Sequence, residues 1–279
     1  MRIDSHHHFW KYDAREYAWI NDSMSVLKRD FSPRELKPQC EATHVDGVVT
    51  VQASQSLIET ERLIRFAETE SLVQGVIGWV PLASSGVGMD LERLVLSPWL
   101  KGVRHVVQDE ADPEFLMGVA FNEGICRLHE FKLSYDLLIY PWQLPATIKF
   151  VDMHPEQPFV LDHIAKPAIN SAKFDTDWES NIRELAERPQ VIGCKFSGIV
   201  TEVRDALWSV ELLRPYWNVA LEAFGPERLM FGSDWPVILL RSEYTRWVQS
   251  VEELSREMSV SEQAAFWSGN VQRVYRLNR

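Results

Sequence analysis

Short apolar runs recur along the chain, and each run ends in polar or aromatic residues before a helix-like stretch begins. The runs are apolar on both faces, which is typical of parallel strands that are buried on both sides. They predict eight strands, at residues 2–8, 46–54, 73–82, 100–108, 132–141, 159–167, 191–198 and 228–236.

Helical spacing of apolar residues indicates amphipathic helices between these runs. The clearest examples are residues 58–70, 177–188 and 207–224. Asp175 or Thr176 is a suitable N-cap for the second of these helices. Pro215 should kink or split the third helix, because proline removes a backbone donor and clashes with the preceding turn. From Ser242 onward the chain is again predicted to be helical.

Eight strand–helix units at roughly even spacing predict a (β/α)8 barrel, formed by residues 1–279 as one domain, with the C-terminal helices packed outside it. The rival architecture is a doubly wound open sheet. That fold usually places a glycine-rich phosphate loop after its first strand, and the stretch HHHFWKYD at this position is not such a loop. The barrel is therefore favoured.

Charge and composition narrow the classes of partner. The formal net charge of −11 disfavours nucleic acids and anionic membranes, whereas a neutral small molecule is compatible with it. No apolar run is long enough for a membrane span or a signal peptide. The three cysteines are widely spaced and form no CxxC pair, which indicates reduced thiols and a cytoplasmic location.

The carboxyl ends of barrel strands are where catalytic residues are expected. His6 and His8 in the first run are two residues apart, so both rings should face the barrel mouth while His7 faces away. Other polar residues follow from distant runs: Arg104 in the fourth, His163 in the sixth, Lys195 in the seventh and Asp234 in the eighth. Taken singly, a strand-end lysine is more often solvated, and an aspartate in a GSDWP turn can simply bind backbone. Together, these residues predict an active site.

Five strand-end motifs, DSHHHFW, GVR, LDHIAKP, CKFSG and FGSDWPV, resemble those of the amidohydrolase superfamily. They are most similar to its branch of sugar-lactone hydrolases, which includes L-fuconolactonases and L-rhamnonolactonases. The late segment GNVQRVYRL is similar to the closing helix of these proteins, so the resemblance extends from Asp4 to Leu277.

The resemblance implies a barrel that opens a cyclic sugar ester with water. His6, His8 and Asp234 match the first- and eighth-strand residues of the superfamily, and His163 matches its sixth-strand histidine. In such a reaction Asp234 would be the general base. Arg104, with His6 and His8, would stabilise the oxyanion.

Candidate substrate-binding residues complete this hypothesis. Trp10, Trp142 and Trp235 would provide flat apolar faces for a sugar ring. Gln52 and Lys195 would bind its hydroxyl groups. The expected partner is a small-molecule aldono-1,4- or 1,5-lactone, by resemblance one derived from an L-sugar such as L-fuconolactone, which would place the enzyme in L-fucose catabolism.

A metal ion is implied by the wider superfamily. One divalent ion such as zinc would be held by four residues, His6, His8, His163 and Asp234. The fifth run departs from the superfamily pattern, because LLIYPWQ places Tyr140, Trp142 and Gln143 where another histidine is expected. A two-metal centre is therefore disfavoured, and we expect hydrolysis that does not depend on a metal.

Two other functions remain open at this point. A metal-dependent decarboxylase would share the barrel and the same histidines and aspartate. A catalytically inactive barrel that binds sugars would share the fold, although the full set of polar residues disfavours it. The sugar, the ring size and association into a homo-oligomer are left open by the sequence.

Overall fold

The computed structural model describes residues 1–277, and its centre is one sheet of eight parallel strands. The strands are β1 (Ile3–His7), β2 (Gly47–Val51), β3 (Val73–Gly78), β4 (Leu100–Val106), β5 (Ser134–Leu138), β6 (Phe159–Leu161), β7 (Val191–Phe196) and β8 (Leu229–Phe231). They pair in chain order from β1 to β8, and the sheet curls into a nearly closed barrel. This confirms the predicted (β/α)8 fold.

Helices surround the sheet. Seven of them follow strands or precede the next strand: α1 (Pro33–Thr43), α2 (Leu57–Thr69), α3 (Val87–Leu94), α4 (Val119–Glu130), α5 (Leu144–Met153), α6 (Thr176–Ala186) and α7 (Val210–Phe224). The C-terminal part adds α8 (Tyr244–Leu254), α9 (Val260–Ala264) and α10 (Asn270–Val274), with a π-helical turn at Ala265–Gly269 between the last two.

The predicted helices are present with shifted ends. Asp175 caps α6, because its side chain accepts a hydrogen bond from the backbone N–H of Trp178 at 3.0 Å. Helix α7 begins at Val210 and continues through Pro215 without a break, so the predicted split is absent. Pro215 is exposed, and the carbonyl group that loses its intrahelical donor lies on the solvated side at Glu211.

The barrel closes between β1 and β8 through a short seam of hydrogen bonds. The N–H of Asp234 donates to the carbonyl of His6 at 2.8 Å, and the N–H of His8 donates to the carbonyl of Trp235 at 2.7 Å. The Asp4 carboxylate accepts from the N–H of Ser233 at 2.9 Å. The seam therefore joins the two segments that carry the first- and eighth-strand candidates.

Apolar side chains form an outer layer between the sheet and its helices and a smaller cluster inside the barrel. Val274 and Leu277 belong to the inner cluster together with strand residues such as Ile77. Helix α10 thus covers the amino-terminal end of the barrel, opposite the expected active site, while α8 packs on the outside against α1 and α7. Among residues 1–277, every helix is too short or too polar to cross a membrane.

Candidate active site

The candidate residues lie at the carboxyl end of the barrel, but two of them lie beyond their strands. β6 ends at Leu161 and β8 at Phe231, so His163 and Asp234 belong to the following loops. The predicted strands were too long here, because strand pairing stops at the last residue of the apolar run and the polar residues at 162–163 and 232–234 already lie outside it. Arg104 and Lys195, by contrast, lie inside β4 and β7.

An unusual backbone positions His163. Four consecutive residues, from His163 to Lys166, have positive φ angles between 47° and 59°, and none of them is glycine. Left-handed conformation costs about 1–2 kcal/mol per non-glycine residue, so surrounding contacts must hold this turn. One such contact is a hydrogen bond from the indole N–H of Trp178 to the carbonyl of Ile164 at 2.7 Å. The same turn brings Lys166 to the cavity rim.

Three imidazole rings converge on one oxygen of Asp234. Its Oδ1 atom lies 3.1 Å from Nε2 of His8, 3.7 Å from Nε2 of His6 and 4.0 Å from Nε2 of His163. The other oxygen, Oδ2, faces Gly198, where an added Cβ would lie only 2.5 Å away. Gly198 also has a φ of +64°, so both its conformation and the space at this position favour glycine.

The first strand has the predicted alternation. The rings of His6 and His8 lie 5.0 Å apart on the side of Asp234. His7 points away, with its Nε2 atom 2.7 Å from the Thr50 hydroxyl on β2 and its ring packed against Phe9.

The second nitrogen of each ring faces a hydrogen-bond acceptor. Nδ1 of His8 donates to the Val51 carbonyl at 2.8 Å, and Nδ1 of His163 lies 3.0 Å from the Ser197 carbonyl. Nδ1 of His6 lies 3.3 Å from the Asp162 carboxylate. Because these acceptors call for N–H groups on Nδ1, Nε2 is the nitrogen that each ring directs toward Asp234, and Nε2 of His8 lies within hydrogen-bonding distance of its carboxylate.

Arg104 adds a positive charge to this cluster. Its Nη1 atom lies 3.2 Å from Nε2 of His6 and 3.0 Å from Oδ2 of Asp162, and Nη2 donates to the backbone carbonyl of Gln52. Nε of Arg104 is buried and has no hydrogen-bond partner within residues 1–277. This N–H is therefore a spare donor beside the cavity that Arg104 lines.

Burial sets the protonation of the rings. It lowers the pKa of His163 to about 4 and that of His6 well below its usual value. Burial alone would raise the pKa of Asp234, but His163 and His8 oppose it and the net shift is downward. A neutral His163 and an ionised Asp234 are therefore the forms expected at neutral pH.

The donor set fits a metal ion. Ligand atoms of His6, His163 and Asp234 all lie within 4.8 Å of one another, and the second nitrogen of each ring is oriented by an acceptor, as is usual for metal-binding histidines. Three carboxylates of this buried cluster, Asp136, Asp162 and Asp234, face two buried cations, Arg104 and Lys195. These five groups therefore carry one negative charge in excess when all are ionised. A proton on one ring or a metal would balance this charge. β5 contributes only Leu138 to the cavity wall, so no fifth-strand ligand is available there.

Lys195 and Gln52 lie beneath the cavity. Nζ of Lys195 lies 2.6 Å from Asp136 and 3.0 Å from Asp162, and none of these side chains is exposed. Gln52 is also fully buried and hydrogen-bonds to Arg104. Both side chains are therefore buried beneath the cavity, in contact with Arg104 or with the carboxylates Asp136 and Asp162.

The three tryptophans occupy different places. The cavity has a volume of about 100 Å³ and does not reach Trp10 or Trp235. Trp10 turns away because its backbone pairs with Phe31, and its ring packs behind Trp19. Trp235 is buried against Phe31 as well. Trp142 is exposed and lines a neighbouring groove.

Sequence reasoning missed several residues of the site. Trp19 and Lys166 line the cavity, with Gln108 and Asp109 beside them. Asp136 and Asp162 could have been noticed, because a carboxylate within an apolar strand needs a buried cation as partner. Trp19 lies in a loop before α1, and no sequence pattern connects that loop to the barrel mouth.

Similarity to known proteins covers the whole site. The chain matches the family described as Amidohydrolase over residues 3–277. An L-fucono-1,5-lactonase of Burkholderia multivorans is 39% identical, covering 99% of this chain and 96% of the relative. An L-fucono-1,5-lactonase of Burkholderia ambifaria is 34% identical, covering 100% and 97%. The crystal structure of an amidohydrolase from Burkholderia multivorans with bound zinc is 38% identical, has a TM-score of 0.93 and is matched over the full length of both chains.

Proposed function

The chain belongs to the amidohydrolase family, and we propose that it hydrolyses a sugar-derived aldonolactone to the open aldonic acid, with an L-sugar 1,5-lactone such as L-fucono-1,5-lactone as its substrate. The observation that carries this proposal is the arrangement around Asp234. An ionised carboxylate lies among imidazoles at the floor of a cavity of about 100 Å³, with the Arg104 guanidinium beside it. The two lactonases, which match over nearly their full length, support the same substrate class.

Hydrolysis of a lactone needs a base, an oxyanion site and an acid. Asp234 accepts a proton from the attacking water, a role worth about 10²–10⁴-fold in rate. The spare Nε–H of Arg104, with His6 and His8 beside it, stabilises the carbonyl oxygen as it gains charge. Asp234 then returns its proton to the ring oxygen as the ester opens. His163 holds the water near Asp234.

A divalent metal held by His6, His163 and Asp234, with His8 beside them, would polarise the lactone carbonyl and lower the pKa of a bound water molecule. The residues of the chain provide the same two functions through Asp234 and Arg104. We therefore propose that hydrolysis does not require the metal.

A lactone panel tests the proposed function. Aldono-1,4- and 1,5-lactones are supplied to the purified protein, and acid release is followed with a pH indicator. We expect one equivalent of acid per turnover, fastest with an L-sugar 1,5-lactone. Release of CO₂ from an unsaturated acid would support a decarboxylase, and sugar-acid binding without any turnover would support an inactive sugar-binding barrel.

We expect the acid limb of the pH profile to lie near pH 4. Neutral His163 is the form that holds water, and it gains a proton only as the pH falls through about 4. The profile of kcat/KM should therefore be flat from neutral pH down to about pH 5. Initial rates corrected for spontaneous hydrolysis, with circular dichroism to exclude acid unfolding, measure this. An acid limb near the usual histidine pKa of about 6.5 would contradict the role of His163.

Chelation is expected to leave most activity in place. The protein is treated with a chelator, its zinc content is measured before and after, and kcat/KM is compared. We expect at least about half of the activity to remain, because Arg104 and Asp234 provide the electrostatic and basic functions. Loss of activity that added zinc restores would show that the metal is required.

A further inference from the structure

A second cavity adjoins the candidate active site and is larger than it. This groove has a volume of about 470 Å³ and lies between the loop after β5 and the first turns of α6. Lys166 lines both the groove and the catalytic cavity, so its side chain lies between the two spaces. The catalytic cavity alone is smaller than the usual ligand pocket of about 300–1,000 Å³, whereas the groove lies within that range.

One wall of the groove is aromatic. Trp142 is 71% exposed, and it is the only exposed tryptophan within residues 1–277 of a chain that contains 11. Its ring stacks on Tyr140, with centroids 4.4 Å apart and planes 22° from parallel. A rigid, exposed pair of rings offers a flat apolar surface, and such surfaces favour planar or ring-shaped ligands over extended apolar chains.

The facing wall is polar. Asp177, Ser180 and Asn181 project from α6, and Arg204 contributes a guanidinium group. Carboxylate, hydroxyl, amide and guanidinium groups together can both donate hydrogen bonds to a set of hydroxyls and accept them. The groove thus combines an apolar face with several hydroxyl-binding groups.

Lys166 is held at the junction by its surroundings. It ends the left-handed turn that begins at His163, and Trp178 fixes that turn. Its Nζ atom lies 3.9 Å from Glu202 and 5.5 Å from the ring centroid of Tyr140. A ligand that occupies both spaces would pass this ammonium group, which can donate to a hydroxyl or a glycosidic oxygen.

We propose that the groove is a subsite for a glycosyl group attached to the lactone, so that the enzyme accepts lactones of oxidised disaccharides. This inference rests on the proposed lactone hydrolysis and extends its substrate class. The lactone ring occupies the small cavity at Asp234, and the attached sugar lies on Tyr140 and Trp142 with its hydroxyls toward α6.

Paired substrates test this proposal. Aldono-1,5-lactones are compared with the same lactones carrying one hexosyl group at O4 or O6, prepared by oxidation of reducing disaccharides. For at least one pair we expect the glycosylated lactone to have a kcat/KM about tenfold higher, mainly through a lower KM. Trp142→Ala should abolish this advantage, because the apolar face under the attached sugar is lost, whereas Trp142→Phe should keep most of it. Leu207→Ala, another exposed apolar position outside the groove, should change neither substrate.

Each other result overturns the inference in a recognisable way. Hydrolysis of the parent lactones with slower or absent hydrolysis of every glycosylated one would overturn the subsite and leave the proposed function intact. Equal effects of Trp142→Ala on both substrates would do the same. A changed sedimentation coefficient of Trp142→Ala with unchanged kinetics would also overturn the subsite, because it would assign Trp142 to contacts between copies of the chain. Absence of turnover with every lactone would overturn both the proposed function and the subsite.

Discussion

Replacement of Asp234 by Asn is expected to lower kcat by at least about 10²-fold. Asparagine keeps the size and shape of the side chain, but its amide cannot accept the proton of the attacking water. The loss should appear in kcat and in kcat/KM alike, because the interaction is needed in the transition state. Steady-state rates with the best lactone of the panel measure it, with the metal content determined for both proteins.

A surface carboxylate provides the matched control. Asp152 is half-exposed and pairs with Arg188 on the outside of the barrel, with Oδ1 3.0 Å from the guanidinium. Asp152→Asn should leave kcat within about twofold. Near-normal turnover by Asp234→Asn, with unchanged fold and thermal stability, would contradict both the metal-free and the metal-assisted mechanism.

The second large effect concerns stability. Lys195→Met should lower the free energy of unfolding by about 3–5 kcal/mol, because it removes the cation between two fully buried carboxylates. Asp162 keeps its contact with Arg104, but Asp136 loses its charged partner. Urea unfolding followed by circular dichroism measures the change.

Two further variants separate this cause from a general effect of the substitution. Lys149 is exposed on α5, so Lys149→Met should change stability by less than about 0.5 kcal/mol. Asp136→Asn added to Lys195→Met should recover part of the loss, since one unpaired buried charge is then removed. A cost below about 1 kcal/mol for Lys195→Met, or simple additivity in the double variant, would show that the buried pair is not needed for stability.

The fold could be predicted because a barrel strand is apolar on both faces and a surrounding helix on one. The ends of β6 and β8 could not, because the sequence does not show whether the polar residues that follow Leu161 and Phe231 still belong to the paired strand. The left-handed turn at His163 was unpredictable for a different reason: HIAK contains no glycine, and the conformation is imposed by tertiary contacts such as that of Trp178.

Some features of the candidate site could be predicted from the sequence, and others could not. The convergence of His6, His8 and Asp234 follows from strand alternation and barrel closure, both of which leave a sequence pattern. The direction of the Trp10 side chain depends on the backbone pairing of Trp10 with the distant Phe31, and that pairing leaves no pattern in the sequence. The ion pair of Lys195 with Asp136 does leave a sequence pattern, because a carboxylate inside an apolar strand needs a buried cation as its partner.

The seam between β1 and β8 has a consequence for how the enzyme is made. His8 and Asp234 are 226 positions apart, so during synthesis the proposed base and its imidazole partner can meet only after most of the chain has left the ribosome. Closure of so long a loop is a late and slow event in folding, because its entropy must be lost before the contact forms. A nascent or truncated chain that ends before β8 therefore has no hydrolytic centre, and appearance of activity in a translation reaction reports completion of the barrel itself.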